Sequence, residues 1–278
     1  MSDQPAFAER QAQKAAQNEP FRLRAADEPK AVEVYRPAGR SRFLLACDHA
    51  GRRIPRRLGN LGLPDSELER HIAWDIGIAA VTRGMADTLD ACAIMQPYSR
   101  LVIDCNRQPG TPASIPVISE NTEIPGNDRL VAEEMQARQT EIFAPYHARL
   151  TAELDRRERD GIKTILLSMH SFTPVYKGVA RPWHVGTLYN RNSWLAGIVF
   201  DLLRQEPDLI VGNNEPYMVT DETDYTIPVH GEKRNLPHVG IEIRQNEIAG
   251  EAGQRLWAER MSRVFAAAET AIAAATNR

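Results

Sequence analysis

Short apolar runs alternate along this chain with longer stretches in which apolar residues recur at helical spacing. A short apolar run between polar or turn-forming segments is typical of a buried strand, and the longer periodic stretches are typical of amphipathic helices. Strands that alternate with helices predict a layered α/β fold with a mostly parallel sheet. The runs predict strands at residues 43–47, 93–96, 101–103, 164–168, 186–189, 209–212 and 238–244.

The helical stretches have recognisable ends. Asp65 is a start signal for a helix over residues 66–89, and Asn127 caps a long helix over residues 128–160. Pro145 lies inside that second helix, where its missing N–H donor predicts a break or a kink. Further helices are predicted at residues 192–205 and 250–276.

The first 30 residues differ from the rest of the chain because they are rich in alanine, glutamine and charge. A helix over residues 6–17 would have an apolar face made mostly of alanine, so we predict an extension at residues 1–30 and a single domain over residues 31–278. A stretch rich in Pro, Gly, Ser and Thr at residues 108–127 is longer than a plain connection needs. It is either a functional loop that closes over a site or a static surface loop.

Reactive polar residues follow the apolar runs directly. Asp48 and His49 come after the first predicted strand, and His170 comes after the strand at residues 164–168. Glu242 lies inside the last predicted strand. Because sites in open α/β sheets form beyond the carboxyl ends of the strands, we expect these side chains to meet.

Two histidines with carboxylates nearby suit a metal ion that prefers nitrogen and oxygen ligands. Zinc fits best, since catalytic zinc takes three protein ligands and leaves one position for water. The chain has no HExxH helix, so the ligands of such a site would be dispersed. The other histidines considered are expected to be surface or core residues, namely His71, His147 and His238.

Four arginines beside the predicted strand ends indicate an acidic small-molecule substrate. A guanidinium group donates two parallel hydrogen bonds to a carboxylate, which suits a substrate with free carboxylates. The alternative is that these arginines form ion pairs with acids of the protein such as Asp104 or Glu242. The four are Arg100, Arg107, Arg181 and Arg244.

Composition narrows the classes of protein further. The formal net charge of −3 provides no basic field for a nucleic acid, so no such partner is expected. No apolar stretch approaches the roughly 18 residues of a membrane helix, and the N-terminus has no apolar core of a signal peptide. Three cysteines without a CxxC pair favour a reduced, cytoplasmic setting. No pattern indicates the oligomeric state.

Six blocks follow one another in order between residues 43 and 248: DHAGRRIP (48–55), HIAWDIG (71–77), SRLVIDCNR (99–107), MHSFTP (169–174), RPWHVG (181–186) and GIEIRQ (240–245). Together they resemble the N-formylglutamate amidohydrolase family, and more distantly the aspartoacylase and zinc carboxypeptidase group. The resemblance implies a three-layer α/β sandwich of the phosphorylase/hydrolase-like type around a central mixed, mostly parallel sheet.

The resemblance to the distant group implies that His49 and His170 are zinc ligands. That group places a glutamate ligand three residues after the first histidine, where this chain has Arg52. Arginine cannot bind a metal ion, so the third ligand must come from elsewhere. We expect Asp75, which lies in the second block, and Asp48 is the alternative.

The same resemblance implies the catalytic and substrate-binding residues. Glu242 would be the general base that activates water, and Arg100 would polarise the scissile carbonyl. Asn106 and Arg107 would hold the α-carboxylate of the substrate. Further contacts to its carboxylates are expected from Arg181 or Arg244.

These expectations describe a zinc-dependent amidohydrolase that cleaves the N-acyl amide of an acidic amino acid, with N-formyl-L-glutamate the first candidate. A second possibility is a hydrolase of another N-acyl amino acid or of a small peptide-like amide. A third is a non-catalytic carboxylate-binding protein that has lost its metal, which the arginine at position 52 suggests.

Overall fold

Among the described residues, 21–276 of a computed structural model, a seven-stranded mixed sheet forms the centre of the protein. Helices cover both faces of this sheet, which confirms the predicted three-layer α/β architecture. Two short hairpins lie outside it. The strands are β1 (Glu33–Tyr35), β2 (Phe43–Cys47), β3 (Cys92–Met95), β4 (Ile118–Ser119), β5 (Thr122–Glu123), β6 (Ile165–Phe172), β7 (Val175–Tyr176), β8 (Val179–Ala180), β9 (Val185–Leu188), β10 (Val211–Asn213) and β11 (His238–Arg244).

The α-helices follow the strands in sequence as the periodic stretches predict. None of the described helices is long and apolar enough to cross a lipid bilayer. The helices are α1 (Asp65–Leu68), α2 (Ile78–Leu89), α3 (Ala132–Arg138), α4 (Ala144–Arg159), α5 (Trp194–Leu203) and α6 (Glu251–Thr276).

The four central strands of the sheet are parallel. The strand order is β1-β3-β2-β6-β11-β9-β10, and β3, β2, β6 and β11 run in one direction. The outer strands β1 and β9 are antiparallel to β3 and β11. The carboxyl ends of the central strands therefore lie at one edge of the sheet, where ligands bind in open α/β folds.

The central strands are buried on both faces, which explains why they read as continuous apolar runs. In β2, Phe43 and Leu45 pack with α2, α5 and α6 on one face, and Leu44 and Ala46 pack with α4 on the other. All five residues of β2 are buried. The site at the sheet edge is consequently built on strands that are packed on both faces.

Two of the predicted elements are wrong. Residues 101–103 form a turn, in which the N–H of Val102 donates to the carbonyl of Ser99 (2.9 Å), and their apolar character reflects burial without strand pairing. The predicted helix over residues 66–89 is two helices, α1 and α2. The turn between them ends at Gly77, whose φ is +80° and where a Cβ would lie 2.1 Å from the carbonyl oxygen of Ile248.

The long helix predicted over residues 128–160 is interrupted as expected. It starts later than predicted, at α3, and passes through a π-helical turn at Gln139–Phe143 into α4. Pro145 lies in the first turn of α4, directly after the π-helical turn. The break predicted from Pro145 is therefore confirmed.

Part of the predicted N-terminal extension packs against the domain. Leu23 is 1% exposed and belongs to the core on the α4 side of the sheet. The backbone N–H groups of Leu23 and Arg24 donate to the carboxylate of Glu141 (2.7 and 3.0 Å). Residues 21–30 are thus attached to the domain, and the helix predicted over residues 6–17 lies outside the described residues.

Candidate active site

The carboxyl ends of the central strands bring the predicted reactive residues together. Asp48 and His49 follow the last residue of β2. Strand β6 runs past its predicted end to Phe172, so His170 lies inside the strand and not after it. Glu242 in β11 is paired with His170 across the parallel ladder.

Three buried side chains, His49, Asp75 and His170, form a compact group that we call the His–Asp–His cluster. Each offers one ligand atom, and these atoms lie within 4.8 Å of one another. The Oδ2 atom of Asp75 is 3.3 Å from Nδ1 of His49 and 2.9 Å from Nδ1 of His170. The backbone N–H of Asp75 donates to the carbonyl of His49 (3.1 Å), which fixes the carboxylate beside the ring. Two imidazole nitrogens and a carboxylate oxygen are a donor set that suits Zn²⁺.

The Nε2 atom of each imidazole, on the side of the ring opposite Asp75, faces a second carboxylate. Nε2 of His49 is 2.7 Å from Oδ1 of Asp104, and Nε2 of His170 is 3.2 Å from Oδ2 of Asp48. Metal-binding histidines ordinarily direct their second ring nitrogen at such an acceptor. The Nδ1 atoms are therefore the ones that the arrangement leaves for a metal ion.

The electrostatics of the cluster favour charge on its histidines when no cation is bound. Burial disfavours the protonated form of His170, but contacts with Asp48 and Asp75 outweigh burial and hold its pKa well above the usual value. Burial and the charge of Arg100 likewise oppose protonation of His49, yet its pKa is raised by the neighbouring acids. The acids thus create a negative site that a divalent cation can occupy in place of protons.

Glu242 is 1% exposed, and its two carboxylate oxygens have different surroundings. The Tyr217 hydroxyl donates a hydrogen bond to Oε1. In the part of the chain that the structure describes, Oε2 has no hydrogen-bond partner. Burial raises the pKa of Glu242, and the positive charge of His170 opposes this rise. A buried carboxylate with a free oxygen and a raised pKa is suited to accept a proton.

A cavity of about 360 Å³ opens beside the cluster. The turn before α2, the β4–β5 and β7–β8 hairpins and the segment around Tyr217 form its walls. Four of the predicted site residues line it, namely Asp75, Arg100, Arg107 and Arg181.

The three arginines of the cavity differ in their partners. Arg100 donates to Oδ2 of Asp104 (2.7 and 3.0 Å) and lies 3.4 Å from Asp75, so it forms the ion pair considered as the alternative. Arg107 donates only to backbone carbonyl groups among the described residues, those of Asn106 and Thr223.

Arg181 lies over an aromatic ring instead of beside an acid. Its guanidinium carbon is 4.7 Å from the ring centre of Tyr176, and burial lowers the pKa of Arg181. Neither Arg107 nor Arg181 forms an ion pair with a described residue. The cavity therefore contains two guanidinium groups that can receive carboxylates from a ligand.

Two predicted substrate-binding residues do not line the cavity. Asn106 is buried, donates to Asp224 (2.8 Å) and accepts from the N–H groups of Tyr225 and Thr226 (2.9 and 3.0 Å). It joins two loops, and its side chain does not line the cavity.

Arg244 is the last residue of β11, and its side chain forms its hydrogen bonds outside the cavity. It donates to the carboxylate of Glu247 (2.8 Å) and to the carbonyl of Pro182 (3.1 Å). The strand register places its Cα opposite Phe172, but the side chain is directed to the neighbouring loop. Its contacts therefore support the segment that carries Arg181.

Several residues of the site were not predicted from the sequence. Asp104 appeared only as an ion-pair partner, although it contacts both His49 and Arg100. His71, expected at the surface or in the core, lines the cavity 3.5 Å from Glu120. Glu120 comes from the long loop at residues 108–127, whose unusual length was its only signal in the sequence.

Three other histidines, His147, His230 and His238, are parts of the protein interior. His147 is 2.7 Å from the carbonyl oxygen of Cys105 and 2.9 Å from Nε2 of His230. His238 is 2.8 Å from the carbonyl oxygen of Leu236. All three rings are buried, and none lines the cavity.

Comparisons with known proteins place the chain in a family. The structure of gene product Atu2144 from Agrobacterium tumefaciens is similar, with a TM-score of 0.87 and 37% identity over 90% of this chain and 99% of that chain. N-formylglutamate amidohydrolase from Ralstonia eutropha JMP134 has the same fold, with a TM-score of 0.63 and 18% identity over 86% of this chain and 97% of that chain. No curated protein matches significantly. The model of the N-formylglutamate amidohydrolase family matches residues 41–249, most of the chain, and the protein therefore belongs to this family of amidohydrolases.

Proposed function

We propose that this amidohydrolase is metal-dependent and removes the N-acyl group from an acidic amino acid, with N-formyl-L-glutamate as the first substrate to test. One observation carries the proposal. The buried His–Asp–His cluster and Glu242, whose Oε2 has no partner among the described residues, lie together at the sheet edge, beside a cavity with two unpaired guanidinium groups. The family and the matching R. eutropha protein support the substrate class.

The cluster is the proposed zinc site, with His49 and His170 binding through Nδ1 and Asp75 through a carboxylate oxygen. A bound zinc ion would lower the pKa of a coordinated water toward about 7 and polarise the carbonyl of the amide. Asp75 would be the third ligand, in place of the glutamate that the distant group has at the position of Arg52. Arg52 itself lies at the surface, 3.3 Å from Glu69.

The side chains of this protein supply the remaining chemistry. Oε2 of Glu242 accepts a proton from the attacking water while the oxygen forms a bond to the carbonyl carbon. Arg100, which lines the cavity, donates hydrogen bonds to the oxygen that gains negative charge. Glu242 then delivers the proton to the amine nitrogen as the C–N bond breaks, so that the products are the free acid and the amino acid.

The two unpaired arginines of the cavity define the substrate class. Arg107 and Arg181 are positioned to bind the two carboxylates of an acidic amino acid, and each bidentate pair fixes both position and charge. Asn106 and Arg244 then contribute indirectly, through the loops that they hold. Partners other than this small molecule are not required by the proposal.

The proposal is tested with purified protein supplied with Zn²⁺. We expect equal amounts of formate and glutamate to be released from N-formyl-L-glutamate, and a chelator to abolish the reaction. Addition of Zn²⁺ after the chelator should restore it. Binding of the substrate without turnover in zinc-containing buffer would overturn the proposal in favour of the non-catalytic carboxylate-binding protein.

One observation favours a second substrate class. A cavity of about 360 Å³ lies within the range of about 300–1,000 Å³ for sites that bury drug-sized ligands, and a formyl group needs little of that space. Another N-acyl amino acid could therefore be the substrate, with the same chemistry. Faster release of acetate or a longer acid than of formate from matched N-acyl glutamates would support this alternative.

We also propose a cytoplasmic location for the protein. Cys47, Cys92 and Cys105 are all buried and free, as expected for a chain that folds in a reducing compartment. Cell fractionation with an antibody to the native protein tests this location.

A further inference from the structure

Asp48 is buried behind the His–Asp–His cluster and does not line the cavity. Its Oδ1 atom accepts hydrogen bonds from the hydroxyl groups of Tyr146 (2.7 Å) and Thr226 (2.8 Å). Its Oδ2 atom lies 3.2 Å from Nε2 of His170, an ion-pair contact, and has no hydrogen bond to any described residue. The carboxylate is therefore held on one side by two neutral donors and directed on the other side at one imidazole ring.

The two hydroxyl groups come from separate parts of the fold. Tyr146 belongs to α4, and Thr226 lies in the loop between β10 and β11. Two donors on one oxygen prevent the carboxylate group from turning, so Oδ2 keeps its direction toward His170. A buried negative charge costs free energy unless it is paired, and His170 is the cationic or N–H-bearing group within reach.

The second neighbour of Nε2 is the hydroxyl of Ser168, at 3.0 Å. A hydroxyl can donate to an imidazole nitrogen or accept from an imidazole N–H, so Ser168 does not select one tautomer of the ring. An ionised carboxylate can only accept. The negative charge of Asp48, 3.2 Å from Nε2, therefore favours a ring protonated on that nitrogen, which leaves the lone pair of Nδ1 free.

We propose that Asp48 is a positioning residue for His170, whose buried charge keeps the ring protonated on Nε2 and directs the lone pair of Nδ1 at a metal ion beside Asp75. The inference rests on the metal-dependent function proposed above. It assigns to Asp48 a role through His170 and not a ligand position of its own. It also gives Tyr146 and Thr226 a function, because they fix the carboxylate.

The test compares zinc affinity in Asp48→Asn and wild-type protein by competition with a chelator. An amide can present its N–H to Nε2 and stabilise the wrong tautomer, and loss of a carboxylate behind a metal-binding histidine weakens metal binding by about 10- to 100-fold. We expect a loss of that size, a changed visible absorption spectrum of the Co²⁺-loaded variant, and an unchanged KM at saturating metal. Equal zinc affinity and identical spectra in the two proteins would overturn the inference.

Ser168→Ala is the matched control, since it removes the other neighbour of Nε2 and leaves Asp48 in place. We expect its zinc affinity and Co²⁺ spectrum to stay close to those of the wild type. A weakening as large as that of Asp48→Asn would assign the role to Ser168 and overturn the proposal. If Asp48→Asn does not fold, Thr226→Val and Tyr146→Phe loosen the carboxylate instead, and each must weaken zinc binding for the proposal to stand.

Failure of this inference is distinguishable from failure of the proposed function. Wild-type protein that binds zinc and hydrolyses N-formyl-L-glutamate, together with an Asp48→Asn variant of equal zinc affinity, would remove only the role of Asp48. Wild-type protein that binds no zinc would contradict both the role of Asp48 and the proposed metal-dependent function.

Discussion

Glu242 combines burial with a carboxylate oxygen that has no partner among the described residues, and both properties suit the proton transfer proposed for it. We expect Glu242→Gln to lower kcat by about 10²- to 10⁴-fold, because the amide has the same size but cannot accept the proton of the attacking water. Zinc affinity should stay near the wild-type value. Steady-state kinetics and chelator competition measure the two quantities.

The exposed Glu222 provides the control for this substitution. Glu222→Gln removes the same charge from the surface, where no described side chain pairs with it, and it should leave kcat unchanged. A Glu242→Gln variant with most of its activity would show that another group accepts the proton.

Arg107 and Arg181 are expected to act on substrate binding. Replacement of either by methionine removes charge-assisted hydrogen bonds of about 1.5–3 kcal/mol and should raise KM by about 10- to 100-fold. Arg244→Met should raise KM less, because Arg244 contacts Glu247 and backbone carbonyl groups outside the cavity. Steady-state kinetics on N-formyl-L-glutamate separates the effects. An equal rise in KM for Arg244→Met and Arg181→Met would return Arg244 to the substrate-binding set.

At the level of elements, the buried Arg138 of α3 joins the carboxyl end of the long loop at residues 108–127 to the turn at residues 101–103. It donates to the carbonyl groups of Val102 (2.9 Å) and Gly126 (3.1 Å) and to the side chain of Asn127 (2.6 Å). Burial lowers the pKa of Arg138 to about 10. The loop carries Ser119 and Glu120 of the cavity wall, so Arg138 connects the stability of the fold to the shape of the site.

We expect Arg138→Met to lower the free energy of unfolding by about 2–4 kcal/mol, because two buried acceptors and one half-buried acceptor lose their donor. The KM for the substrate should rise as well, since the loop would lose its anchor. Urea denaturation and steady-state kinetics measure the two effects. Arg129→Met, at a side chain that is 92% exposed, is the control and should change neither. An unchanged denaturation midpoint in Arg138→Met would contradict the prediction.

The elements also show which parts of the site a sequence can predict. His49, His170 and Glu242 could be placed together because the carboxyl ends of parallel strands share one edge of the sheet. The same pattern failed at residues 101–103, because apolar composition reports burial and does not distinguish a strand from a buried turn. Asn106 was assigned to the substrate from a resemblance and Arg244 from its place beside a strand end, but the direction of a side chain there depends on loop contacts that no local pattern contains.

The whole molecule contains a second buried histidine pair that makes its stability depend on pH. Burial lowers the pKa of His147 to about 4 and that of His230 to about 3. Below a pH of about 6.5 the unfolded chain binds protons at both residues while the folded protein does not. The free energy of unfolding therefore falls as pH decreases from about 7 to about 4, by about 6 kcal/mol for the pair.

This contribution is measured as a difference, because His49 and His170 have raised pKa values and act in the opposite direction. Urea denaturation at several pH values should show a smaller loss of stability on acidification in a His147→Gln/His230→Gln variant than in the wild type. Parallel curves for the two proteins would show that the pair does not titrate on unfolding.

The His–Asp–His cluster also joins segments that are far apart in the chain, namely the end of β2, the turn before α2 and strand β6. A metal ion that binds only the folded arrangement stabilises the whole protein, by about 2.7 kcal/mol when its free concentration is 100 times Kd. For a chain of this size we expect zinc to raise the midpoint of thermal unfolding by about 5–10 °C relative to protein treated with a chelator. His170→Ala should abolish this rise. A zinc effect that persists in His170→Ala would show that the metal binds elsewhere. The absence of any zinc effect in the wild type would contradict the proposed metal dependence.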